Sequence, residues 1–175
     1  MEELASEEGI RIRRREALSR VGRGRIAGVS VLLALPQTFM NASGEAVAAL
    51  CQKYGLDPSA LCVVFDDINL PLGTLRMRAR GSAGGQKGIA SIIGSLGTGD
   101  FPRLRVGVRG EHYSRERDLA DYVLEPFRKE ERALFESAVA RAVETLRIWL
   151  AEGIDAAMRH ANGKPSFPDP ASGPD

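Results

Sequence analysis

The chain reads as an α/β protein, a single domain on a mixed, mostly parallel sheet flanked by helices. Three observations predict this. Apolar runs at 29–35 and 61–65 have the length and composition of strands buried on both faces. Residues 43–54 and 129–151 carry apolar side chains at helical spacing. Residues 75–79 and 104–109 alternate apolar with polar, the period of a half-buried sheet.

In order along the chain, residues 2–8 read as the end of a helix stopped at Gly9, too short to persist alone. A strand pair is expected across 17–35. Val47, Leu50, Cys51 and Tyr54 fall at i, i+3, i+4 and i+7, so residues 43–54 form a helix with one apolar stripe and Gly55 as its stop. Leu61 to Phe65 is expected to be a short parallel strand in the centre of the sheet. Leu75, Met77 and Ala79 face one way, with Arg76, Arg78 and Arg80 opposite. Leu104, Val106 and Val108 alternate likewise with Arg105, Gly107 and Arg109. Between them Ile89, Ile92, Ile93 and Leu96 mark a helix ended by Gly97. In the long helix, Phe135, Val139, Ala142, Leu146, Trp149 and Leu150 form the core side. A short helix follows over 153–161. The domain spans 1–163, and residues 164–175, dominated by Pro, Ser, Gly and Asp, are expected to be a disordered tail.

The 175 residues suit one domain with a sizeable core. No run approaches the ~20 apolar residues of a membrane-spanning helix, and the acidic, then Arg-rich, start lacks the apolar segment of a signal peptide. Neither a membrane partner nor a metal is expected, and the cytoplasm is the expected location. Cys51 and Cys62 both sit in apolar patterns and are expected to be buried free thiols. A net charge of +1 hides an asymmetry: residues 1–110 carry 15 Lys and Arg against 10 Asp and Glu. A polyanion would prefer that part.

Two loops at strand ends carry the candidate chemistry. In Thr38-Phe39-Met40-Asn41-Ala42-Ser43-Gly44, Asn41 stands where a helix begins. It is either an N-cap or an amide aimed at a ligand carbonyl or ribose hydroxyl. In Asp66-Asp67-Ile68-Asn69-Leu70-Pro71-Leu72-Gly73, Asp66 ends an apolar run. It is either the orienter of a catalytic His or the acceptor in an Asx-type turn. A third stretch, Gly81-Ser82-Ala83-Gly84-Gly85-Gln86-Lys87-Gly88, precedes a helix and would let backbone approach a phosphate. It is not a P-loop, because the Gly-Lys-Ser/Thr order is absent. The Arg residues at 76–80 and 105–109 are either a phosphate-tracking surface or the wet face of a sheet. His112 and His160 are the only histidines, and both are expected at the surface.

Taken together, the segments Pro36-Gln37-Thr38-Phe39-Met40-Asn41-x-Ser43-Gly44, Asp66-Asp67-x-x-Leu70-Pro71-x-Gly73, Gly84-Gly85-x-x-Gly88, Phe101-x-Arg103-Leu104-Arg105-Val106-Gly107-Val108 and Asp121-Tyr122-Val123-Leu124 resemble those of bacterial peptidyl-tRNA hydrolases, in that family's order. The resemblance implies a monomer that cleaves the ester between a peptide and the 3′ ribose of tRNA, without a cofactor or metal. In the family a His activates water, and an Asp holds that His in its basic form. Asp66 matches the orienting Asp, and Phe39 and Asn41 match substrate-contacting positions. Lys87 takes the place of a substrate-contacting Asn, and Gln86 that of a His before it.

The family opens with an apolar strand, an Asn-Pro-Gly loop and a Thr-Arg-His-Asn segment that supplies the base. Here Met1 falls inside or just after the helix that follows. The first strand, the loop and the catalytic His are therefore expected to be missing from a shortened reading of a longer gene product, with activity impaired. The alternative is a non-catalytic RNA-binding relative of the same fold, similar to plant organellar splicing factors.

Overall fold

Two-residue turns set the first half of the molecule. In the computed structural model, which describes residues 1–110, 113 and 127–163, β1 (Arg14–Glu16), β2 (Ser19–Ile26) and β3 (Val29–Pro36) form an antiparallel sheet in that order. Each connection is two residues long, Ala17-Leu18 and Ala27-Gly28, and all four have positive φ. Such turns match the right-handed twist of the strands they join. Ala17 and Leu18 adopt this backbone at φ 45° and 58° with side chains that disfavour it. Leu18 is mostly exposed, so its side chain contributes little packing. Replacing the pair with Asn-Gly should raise stability by about 1 kcal/mol, a Tm increase of roughly 2–4 °C. An unchanged or lowered Tm would show that the turn is not strained.

The second half alternates helices with strands. β4 (Val63–Pro71) pairs parallel with β6 (Arg103–Arg109), which pairs antiparallel with β5 (Leu75–Arg78), in the order β4-β6-β5. A β-bulge interrupts β4 between Asp67 and Pro71. The helices are α1 (Glu2–Glu7), α2 (Ser43–Tyr54), α3 (Lys87–Leu96), α4 (Lys129–Glu152) and α5 (Ile154–Asn162). α2 and α3 end at Gly55 and Gly97, both left-handed, as their sequences require.

The mixed α/β class is as expected, but the sheet differs in two ways. Of the four strand pairings among the described residues, β4–β6 alone is parallel. The hairpin turns allow only antiparallel neighbours in the first sheet, and the parallel β4 and β6 are connected through β5 and α3. In addition, β3 and β4 are edge strands. β3, expected to be buried on both faces, leaves Val29 40% exposed, and β4, expected to be central, has Val63 to Phe65 only half-buried. Their apolar character is that of central strands, yet among the described residues neither has a partner on one side.

One core joins the two sheets. Ile26 and Leu33 from the first and Leu75, Met77, Leu104 and Val106 from the second pack against Leu4, Ala138, Ala142, Val143, Leu146 and Ala157. On the opposite face α2 and α3 enclose a second cluster, with Val47, Cys51, Ile89 and Ile92 around Phe101. The short α1 persists because Leu4 and Ala5 are buried and Arg147 of α4 grips Glu7 and Glu8 at 2.8 and 2.6 Å. His112, the segment 121–124 and the expected tail 164–175 lie outside the described residues.

The first hairpin is anchored to α2 by a carboxylate. The Glu16 side chain, 6% exposed, meets Lys53 Nζ at 2.8 Å and Arg14 at 3.0 Å. It also accepts a hydrogen bond from the Tyr54 hydroxyl, which in turn accepts one from Arg23 Nη2 at 2.6 Å. Lys53 and Tyr54 hold the Glu16 carboxyl down at about 2. The stability this anchor supplies is therefore present above the ordinary carboxyl value of 4.5 and is lost as pH falls through about 2. Glu16→Gln should lower Tm at neutral pH and flatten its decline between pH 5 and 2. Parallel pH profiles for the two proteins would contradict the assignment.

Candidate functional site

A cleft of 1240 Å³ runs between the two sheet edges. β3 contributes Val31 and Leu33, and β4 contributes Val63, Val64 and Phe65. α2 and α3 close one side through Leu50 and Ile89, and α4 closes the other through Leu146 and Trp149. Both helix layers thus line a gap in the sheet layer, and its walls are mainly apolar. Polar groups enter through Thr38, Asp66 and Gln86, which line the same cleft. Asp66, expected to end its strand, lies inside β4, which continues to Pro71 across a bulge. The Thr38 hydroxyl is buried in the cleft without a hydrogen-bond partner among the described residues.

Asp66 and Asp67 divide two roles. Asp67 is 8% exposed and makes the turn contact, accepting from Asn69 N at 2.8 Å and from Arg105 Nε at 2.6 Å. The Asx-type turn read as one option for Asp66 is therefore made by its neighbour. Asp66 itself is exposed, and its side chain makes no hydrogen bond or ion pair with the described residues. Its carboxylate keeps full acceptor capacity at the edge of the cleft. Arg105, committed to Asp67, leaves Arg76 and the exposed Arg78 as the cations of the adjoining strand β5.

Asn41 is not a helix cap. It lies in a single 3₁₀ turn, Met40–Ala42, and the residue at the cap position of α2 is Ala42. Its amide is exposed. Ser43 tightens the turn by donating to Met40 O at 2.9 Å. Phe39 is 87% exposed and Met40 55%, large apolar surface beside a polar cleft.

The glycine-rich stretch meets this turn. Gln86 caps α3, its Oε1 accepting from Ile89 N at 2.9 Å, while Nε2 lies 3.8 Å from Met40 Sδ. Gly88 lies so close to Met40 that a Cβ there would sit 2.6 Å from the sulfur. α2 and α3 cross where Gly44 N donates to Ser91 Oγ at 2.9 Å. The Met40–Gln86 contact thus brings Phe39 and Asn41 on one side and Lys87 on the other to neighbouring backbone positions. Lys87 is exposed at the first residue of α3.

The one His among the described residues is not at this site. His160 was expected at the surface, but it is half-buried between α4 and α5, with Nδ1 2.9 Å from Thr145 Oγ1. Thr145 donates its proton to Arg141 O at 2.7 Å, so the ring donates from Nδ1. Of the two thiols expected to be buried, Cys51 is and Cys62 is half-buried. Burial raises the pKa of both, that of Cys62 to about 12, which disfavours the reactive thiolate. Among the described residues no group of three or more His, Cys, Asp or Glu converges as a metal site would require. No helix among them is long and apolar enough to cross a membrane. Sequence reasoning placed Thr38 and Met40 in the site loop but gave neither a role, because a lone hydroxyl or thioether in a loop carries no periodic signal.

Comparison with known proteins gives one answer. A sequence model of the family described as Peptidyl-tRNA hydrolase matches residues 1–168. Peptidyl-tRNA hydrolase of Chloroflexus aggregans is 45% identical over 163 residues, 93% of this chain and 86% of the relative. That of Carboxydothermus hydrogenoformans is 45% identical over 162 residues, 93% and 85% of the two chains. The crystal structure of peptidyl-tRNA hydrolase from Acinetobacter baumannii superposes with a TM-score of 0.84 at 29% identity, covering 93% of this chain and 82% of that one.

Proposed function

The chain belongs to the peptidyl-tRNA hydrolase family, a family of hydrolases, and on that premise we propose that its site acts on the ester between a peptide and the 3′ ribose of tRNA, in the cytoplasm and as a monomer. The observation that carries the placement is the free Asp66 carboxylate. It stands within β4 and lines the same cleft as Met40, of the turn that holds Phe39 and Asn41, and Gln86, which precedes Lys87 at the start of α3.

In this site the water oxygen attacks the ester carbonyl carbon while a general base takes its proton. The C–O bond to the ribose breaks, and the 3′ oxygen leaves with a proton returned by the base. Asp66 accepts from the Nδ1–H of an imidazole, keeps Nε2 free as the base, and stabilises the imidazolium that forms. Asn41 offers both donor and acceptor to the peptide or ribose, and Phe39 gives an apolar platform. Lys87 and the Arg76–Arg78 edge favour backbone phosphates. Lys87 lacks the acceptor of the Asn that the resemblance places there.

The imidazole is not supplied by the described residues, since His160 is engaged with Thr145. The apolar gap between β3 and β4 supports the further proposal that a strand bearing the base belongs there, satisfying both unpaired edges. Binding tests the placement without turnover. Asn41→Ala and Lys87→Ala should each weaken binding of an N-blocked aminoacyl-tRNA by roughly fivefold or more, the loss of one hydrogen bond to a charged or polar partner. Glu152→Ala, an exposed side chain outside the cleft lining, should leave it unchanged. Equal affinity in all three variants would place the substrate elsewhere.

A further inference from the structure

We propose that Arg103 is a positioning residue for substrate binding, pinning the glycine-rich loop so that Gln86 and Lys87 are presented in one arrangement. This rests on the peptidyl-tRNA site described above. Arg103 opens β6 and is only 3% exposed. Its Nη1 donates to Ser82 O at 2.9 Å, and its Nη2 donates to Gly99 O at 2.8 Å. One guanidinium thus ties the loop before α3 to the turn after it. The two backbones meet directly as well, where Gly81 N donates to Gly99 O at 3.2 Å. They approach so closely that a Cβ on Gly99 would lie 2.5 Å from Gly81 O. The guanidinium stacks 4.3 Å over the buried ring of Phe101, itself in the core beneath α3.

This cation is costly for the fold. It makes no ion pair with the described residues, its Nε is buried without a partner, and burial lowers its pKa. A buried charge without a counter-ion destabilises. What it gives in return is order in a loop with two left-handed glycines, Gly84 and Gly85, directly before Gln86 and Lys87. A loop of that composition loses much conformational freedom on ordering. With Arg103 in place that loss is incurred on folding, and without it the loss falls on substrate binding.

A structural role and a positioning role predict opposite patterns. Arg103→Met keeps the length and the contact with Phe101 and removes the buried charge. It should leave Tm equal or higher, accelerate amide exchange at Gly81 and Gln86 by at least tenfold, and weaken tRNA binding by about tenfold. Arg103→Lys cannot bridge both carbonyls in one plane and should loosen the loop similarly. Adding Lys87→Ala to Arg103→Met should weaken binding by less than the product of the two single effects, since both act through one loop. Unchanged exchange in both Arg103 variants would overturn the proposal. So would a large fall in Tm with an unaltered loop, which is the signature of a core residue. Exchange is read without ligand. A wild-type chain that binds no tRNA would therefore refute the proposed substrate, while the exchange data still decide the role of Arg103.

Discussion

Residues 1–175 should release peptide from peptidyl-tRNA about 10² to 10⁴ times more slowly than the crystallised Acinetobacter baumannii relative under the same conditions. That is the usual worth of a general base. The expectation follows from the inventory of the site. Asp66 is free to orient an imidazole, Asn41 and Lys87 are exposed for substrate, and the described imidazole is held by Thr145 in another layer of the fold. On the proposed reading these groups bind and polarise, and the described residues supply no positioned proton acceptor for water. Comparable rates in the two proteins would mean that a group outside this constellation serves as the base.

Phe101→Ala should destabilise the fold by about 3–5 kcal/mol, the common range for truncating a fully buried aromatic. Phe101 has no exposure and is the largest fully buried side chain among the described residues. It contacts the cluster of Val47, Cys51, Ile89 and Ile92, which attaches both α2 and α3 to the sheet. Against a total stability of roughly 5–15 kcal/mol this is a large fraction. The denaturant midpoint reports it. Because α3 carries Gln86 and Lys87, tRNA binding should fall as well. A loss below about 1 kcal/mol would mean that the second cluster collapses around the cavity with little penalty.

Local features of the fold were legible in the sequence where local physics decides them. The helix over 43–54 ends where Gly55 requires it, and Gly97 stops α3, because a left-handed residue after an apolar stripe is a property of a few neighbours. Long-range pairing was not legible. Apolar runs at β3 and β4 report that both faces want burial, but they do not reveal which partners are present. Both strands therefore read as interior while standing at edges. Asp66 and Asp67 could not be separated from composition. Period 2 places them on opposite faces, and only the position of Arg105, 38 residues on, shows which one is neutralised. On local grounds Asn41 read first as a cap, with a ligand-facing amide as the alternative, and the 3₁₀ turn inserted before α2 decides against the cap. Arg103 was visible only as part of a resemblance. An Arg at the start of a strand carries no sign that it turns inward to hold two carbonyls.

The most direct measurement is hydrolysis of an N-blocked aminoacyl-tRNA by residues 1–175 with and without added imidazole, compared between wild type and Asp66→Ala. Free imidazole can occupy the gap beside Asp66, accept the proton of water from one nitrogen and be held through the other. The rate for wild type should rise at least about tenfold above the background reaction with imidazole alone, and Asp66→Ala should abolish that rise while still binding tRNA. An equal rise in both proteins, or full activity of wild type without imidazole, would contradict the proposed role of Asp66 as the orienter of an imidazole base.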